Sequence, residues 1–194
     1  MQGDYFVISR ANTPAHPLLE WDQDPWEFRR GTPVAATQPV RLRLGDPVPA
    51  SPSMVDHHSL PDPVFSGRVK EVLERLAISG SQLVPADVRM PNGAVLRYWL
   101  LHTHQEIACM DRGLSRFSID PDGEVLGIEK LVLDSNVLRA VPERARLVFA
   151  LKEDLGVRLF HRSVVEAVLG VQPPPEGVRF FPVADWDDSA DFRP

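Results

Sequence analysis

Cysteine is nearly missing from this chain. Cys109 stands alone, so no intramolecular disulfide can form, and a cytoplasmic home is expected. Long apolar runs are missing too. No stretch approaches the ~20 apolar residues of a membrane span, and Met1 to Arg10 lacks the basic-then-apolar order of a secretory signal. Basic residues are in the minority, 21 against 27 acidic, for a formal net charge of −6. That balance disfavours nucleic acid and anionic membrane as partners, because both are held by clustered Lys and Arg. It suits a basic protein partner through steering, although solubility alone is the simpler explanation of a modest negative charge. Also missing are a nucleophile elbow, a phosphate loop, a dinucleotide fingerprint and an HExxH helix. No catalytic, cofactor-binding or metal-ligating set is therefore assigned, and the chain is read as a non-enzyme that binds another protein.

What is present is ordinary globular material. Of 194 residues, 43% are hydrophobic and 25% charged, enough for a sizeable core without disulfides or a structural metal. Prolines crowd the first third, from Pro14 to Pro63. Each removes a donor and restricts its predecessor, so this region is predicted to hold short strands and extended loops rather than long helices. Asp4 to Ser9 and Val40 to Leu44 read as strands, the latter by strict alternation. Ser66 to Ile78 reads as a helix with Val69, Val72, Leu73 and Leu76 on one stripe, Ser66 as cap and Gly80 as stop.

A β-meander follows, with runs at 82–90, 96–102, 106–111, 114–120 and 125–133 punctuated by Pro91-Asn92-Gly93 and Pro121-Asp122-Gly123. Such short spacings favour antiparallel pairing. A further apolar run covers 147–151. A shorter helix is predicted over Arg162 to Leu169, with Val165, Val168 and Leu169 facing in, or starting later through the capping-box spacing of Ser163 and Glu166. Val178 to Val183 is the last strand. The expected fold is α+β, mostly antiparallel sheet with two short-to-medium helices and a proline-rich N-terminal region. Its expected parts are strands and loops over 1–63 packed on the core, an α+β core over 64–184, and an acidic tail over 185–194.

Three groups invite chemistry. Asp56-His57-His58 resembles a fragment of a metal site, but no partner ligands stand at recognisable spacing, and an exposed loop is the expected setting. His102 and His104 would share a strand face, with Glu106 and Cys109 nearby. Partly exposed hairpin histidines are the simpler reading. Cys109 lies in Ile107-Ala108-Cys109-Met110, which looks like a buried strand where the thiol serves as a small hydrophobe rather than a nucleophile.

The feature with most weight is tryptophan embedded in acids. Glu20-Trp21-Asp22-Gln23-Asp24-Pro25-Trp26-Glu27 is one instance. Asp185-Trp186-Asp187-Asp188, continuing to Asp191 and Phe192, is the other. Trp favours interface hot spots because it removes much apolar area while its N–H can still bond, and a carboxylate rim steers a Lys/Arg-rich partner. The competing reading is that each Trp anchors a loop to the core. For Trp186, which follows a strand, core closure is the expectation. The candidate partner-binding residues are Glu20, Trp21, Asp22, Asp24, Trp26, Glu27, Asp185, Trp186, Asp187 and Asp188.

A resemblance joins these pieces. The block FSGRVKEVLERL from Phe65 to Leu76, the strand Gln82 to Val88 and Tyr98-Trp99-Leu100-Leu101 come first. Cys109-Met110-Asp111-Arg112 with Ser115, Ile128 to Asp134, and Gly177-Val178-Arg179-Phe180-Phe181-Pro182-Val183 follow in order. Together, over roughly the last two thirds of the chain, they resemble immunity protein family eleven of the bacterial polymorphic toxin systems. The resemblance implies a cytoplasmic antitoxin that binds and neutralises a cognate toxin encoded beside it, often a nuclease. It carries no catalytic residues over. Two rival classes are a small hydrolase using His102, His104 and Cys109, and an adaptor subunit of a secretion apparatus.

Overall fold

The turn at Pro91-Asn92-Gly93 sits at the tip of the longest hairpin in the molecule, with Gly93 at φ 84°, a conformation that glycine adopts without a Cβ penalty. The computed structural model describes residues 1–193 and is built on two main sheets. In chain order the strands are β1 (Tyr5–Arg10), β2 (Leu19–Trp21), β3 (Val40–Leu44), β4 (His57–His58), β5 (Val64–Phe65), β6 (Ser81–Arg89), β7 (Val95–Thr103), β8 (Glu106–Ile107), β9 (Arg116–Ile119), β10 (Val125–Lys130), β11 (Val148–Leu151), β12 (Asp154–His161) and β13 (Val178–Pro182). The helices are α1 (Gly67–Arg75), α2 (Ser135–Ala140) and α3 (Arg162–Leu169). One sheet has the order β2-β3-β6-β7-β5-β4, the other β13-β1-β12-β11-β8, and β9-β10 form a separate hairpin.

The fold class is α+β. The sheets are mixed: β3 runs parallel to β6, and β8 parallel to β11. Both parallel returns use long crossovers. The first, over 45–80, carries β4, β5 and α1; the second, over 108–147, carries the β9-β10 hairpin and α2.

The alternation of VRLRL is realised directly, with Val40, Leu42 and Leu44 buried and Arg41 and Arg43 exposed. Helices α1 and α3 share one core with both sheets, where Val69 and Leu73 meet Val164, Val165 and Val168 around Phe65, Leu101 and Phe160. A second core lies on β2, β3, β6 and β7, and a third gathers Tyr5, Phe149, Leu159, Leu138 and Trp186. Residues of the proline-rich first third enter the middle of this architecture: β1 pairs with both β12 and β13.

Several predicted elements shift. The runs 106–111 and 125–133 pair as strands only over Glu106–Ile107 and Val125–Lys130. In α3 the inward residues are Val164, Val165 and Val168, while Leu169 is 47% exposed at the helix end. His161 caps that helix, its Nδ1 accepting from the Ser163 N–H, so the Ser163 start does not occur. A third helix, α2, is capped by Asp134, whose Oδ1 accepts from the Asn136 N–H at 2.7 Å. Asp56-His57-His58 is no exposed loop: all three residues are buried, and the histidines form β4. Within the acidic tail segment, Trp186 and Ala190 enter the core.

Candidate functional site

The first Trp-acid segment begins on β2, an edge strand, and continues into a 3-10 turn over Trp26–Arg29. Its carboxylates divide by partner. Glu20 receives Arg43 Nε at 2.7 Å, and Asp22 pairs with Arg89, so these two are tied to neighbouring strands. Asp24 Oδ1 accepts from the Trp26 N–H at 3.0 Å and shapes the turn. Among the described residues neither Asp24 nor Glu27 has an ion-pair partner.

The two tryptophans divide likewise. Trp21 is half-buried, its ring 5.0 Å from that of Phe28 and packed on the second core. Trp26 is 64% exposed. Trp21 therefore anchors the loop, and Trp26 projects from it between two unpaired acids. Covering the exposed part of such an indole, on the order of 130 Å², contributes about 3 kcal/mol to an association before ordering costs.

In the second segment only the tryptophan is turned inward. Trp186 is 8% exposed and sits in the core. Asp188 Oδ2 accepts from the Ile128 N–H at 2.6 Å, tying the segment to β10, and burial raises its pKa. Asp187 accepts from the Ser189 Oγ and N–H and pairs with Arg193, contacts that lower its pKa, those to Ser189 foremost. Asp185 is exposed.

A cleft of about 510 Å³ opens beside the first segment, between the edges of the two sheets. Trp21, Phe28 and Leu60 are among its apolar lining; Thr103, Asp62 and Arg158, with Glu20, Arg29 and Glu106, contribute its polar groups. Arg158 Nη2 donates to Asp62 Oδ1 at 2.7 Å, yet burial dominates and raises the Asp62 pKa. Thr103 Oγ1 and the Nε and Nη1 of Arg158 are buried without a hydrogen-bond partner. Sequence reading did not single these out. Asp62, Thr103 and Arg158 come from three separate stretches, and only the fold brings them together.

The histidines and the cysteine fall into different settings. His57 and His58 each donate from Nδ1 to a backbone carbonyl, of Gly177 at 3.1 Å and of Pro17 at 2.9 Å. Burial brings their pKa values down to about 3 and about 4, so both are neutral and structural. Gly177 has no alternative here: its φ is 79°, and a Cβ would lie 2.7 Å from the His57 carbonyl oxygen. Asp56 is squeezed by burial, but Arg68, Ser66 and the Glu176 N–H more than compensate and bring it to about 2.

His102 is buried with Nε2 2.9 Å from the Thr32 carbonyl, and its ring lies 5.9 Å from that of His104. Cys109 is buried in the core, and burial pushes its thiol up to about 12, so it supplies no thiolate at neutral pH. Among the described residues no group of three His, Cys, Asp or Glu is arranged to hold a metal ion.

A family model, described as Immunity protein family (Imm11), matches residues 5–185. The chain belongs to the Imm11 family. The match begins at the first residue of β1, so Imm11 takes in the proline-rich first third as well as the later blocks on which the sequence resemblance rested. No curated protein matches the chain. Membership makes it an immunity protein, and an Imm11 protein implies a cognate toxin as partner. Among the described residues no helix is long and apolar enough to cross a membrane.

Proposed function

We propose that this Imm11 protein acts in the cytoplasm by binding its toxin in a stoichiometric complex and covering the surface the toxin needs, with a basic toxin, such as a nuclease, encoded nearby as the expected partner. The observation that carries the reading is the family match across nearly the whole chain. The surface that supports it best is the turn at Asp24, Trp26 and Glu27, where an exposed indole stands between carboxylates that have no ion-pair partner among the described residues. A standard interface of about 1,600 Å² centred on such an anchor reaches nanomolar affinity or better, and unpaired acids raise the association rate toward a basic partner. Asp185, Trp186, Asp187 and Asp188 make a weaker candidate, because the Trp186 ring is buried in the core and the Asp188 carboxylate is already bonded to the Ile128 N–H.

The test is a triple variant, Trp26→Ala, Asp24→Asn and Glu27→Gln, in cells expressing the product of the adjacent gene. Protection should fall while the purified variant melts within a few degrees of the parent. Full protection by this variant would remove the turn from the interface.

A further inference from the structure

The β2–β3 ladder determines which backbone groups of β2 are engaged. The Gly45 N–H donates to the Leu18 carbonyl at 2.8 Å and the Asp22 N–H to the Arg41 carbonyl at 2.9 Å, with Glu20 opposite Arg43 between them. In an antiparallel pair, residues alternate between those that bond the partner strand and those that turn away. Leu18, Glu20 and Asp22 therefore face β3, and the N–H and C=O groups of Leu19 and Trp21 point to the other side. No strand lies there, because β2 is terminal in its sheet, and those groups have no partner among the described residues.

That open edge borders the cleft: all three residues of β2 line it. Ala150 also lines it, and Leu60 and Leu155, which line it too, are 45% and 50% exposed. Glu106 and Arg29 also line it, one of each sign, and neither has an ion-pair partner among the described residues. An unpaired edge is normally blunted, since it templates pairing with another chain. Here it adjoins a hollow of about 510 Å³ lined by both apolar and charged side chains, within the ~300–1,000 Å³ typical of sites that enclose a ligand group.

We infer that the cleft receives an extended stretch of the toxin polypeptide, which adds to β2 as a further strand. One apolar side chain of that stretch lies against Trp21, Phe28, Leu60 and Leu155, and a neighbouring Lys or Arg meets Glu106. Main-chain bonds to Leu19 and Trp21 hold the segment, and the alternate side chains supply selectivity. The inference rests on the toxin-binding role proposed above and specifies how the partner engages.

Residue-resolved amide hydrogen exchange tests it, on the full chain alone and in complex with an inactivated form of the adjacent gene's product. In the free protein the Glu20 and Asp22 amides should exchange slowly and the Trp21 amide quickly. In the complex the Trp21 amide should slow at least tenfold. A complex in which Trp21 exchanges as fast as before overturns the strand addition while leaving toxin binding intact. A Trp21 amide already slow in the free chain also overturns it, and failure to form any complex overturns both proposals. As a second arm, Leu155→Lys at the exposed rim should weaken the Kd at least tenfold with an unchanged melting curve; an unchanged Kd counts against the cleft.

Discussion

Lowering the pH from about 7.5 to 5 should strip this protein of much of its stability through two histidines. His57 and His58 are buried and neutral, with pKa values brought down from 6.5 to about 3 and about 4. The unfolded chain takes up protons on these side chains below 6.5, whereas the folded chain refuses them until pH approaches 3 to 4. Their contribution to stability is therefore full above 6.5 and is lost as pH falls below it. At pH 5 the unfolded state gains about 2 kcal/mol from each ring, so roughly 4 kcal/mol disappears between pH 7.5 and 5. That is a large share of the ~5–15 kcal/mol that keeps a domain folded. Most carboxylates titrate below this window, and Asp62 and Asp188, raised by burial, act in the opposite direction, so a loss on acidification is assigned to histidine by comparison with a histidine variant. Urea unfolding at pH 7.5, 6 and 5 measures it. The variant His58→Gln, which retains a donor toward the Pro17 carbonyl, should flatten the decline by about half. Equal stability at pH 7.5 and 5 in the parent protein would refute the reasoning.

Further expectations concern single side chains. Trp186→Ala should cost about 3–5 kcal/mol in urea unfolding by opening a core cavity, whereas Trp26→Ala, on the surface, should stay within ~0.5 kcal/mol of the parent; equal effects would contradict the burial contrast between them. Arg68→Ala strands the Asp56 carboxylate and frees the carbonyls of Pro173 and Pro174, and should cost about 2–3 kcal/mol by the same measurement. The Cys109 thiol should resist iodoacetamide at pH 8 in the native protein and react within minutes in urea; rapid labelling of the native chain would show it to be accessible.

Much of this fold could be read along the chain wherever periodicity and turn chemistry agree. The strand Val40–Leu44 and the helix Arg162–Leu169 stand where their patterns place them, and Trp186 closes the core as its position after a strand suggests. The failures share a cause. His57 and His58 look polar in isolation, yet carbonyls at Gly177 and Pro17 satisfy them and permit burial. β12 begins with two consecutive exposed residues after Asp154, Leu155 and Gly156, so its alternation is blurred locally, and its pairing with β1 and β11 supplies the order. β2 is only three residues long and is stabilised by β3 rather than by its own sequence. The parallel pairs were hidden because the crossovers contain strands of their own. Of the candidate site, the Trp-acid composition was visible, but the cleft beside it was not, since Asp62, Thr103 and Arg158 meet only through tertiary packing.

Titration of the purified toxin with this protein tests the central claim most directly. Under the binding account, toxin activity falls linearly and reaches zero at one molar equivalent, and the two chains elute together as a stoichiometric complex. Toxin that is silenced by a small fraction of an equivalent, or that stays active in the presence of excess protein, would contradict it.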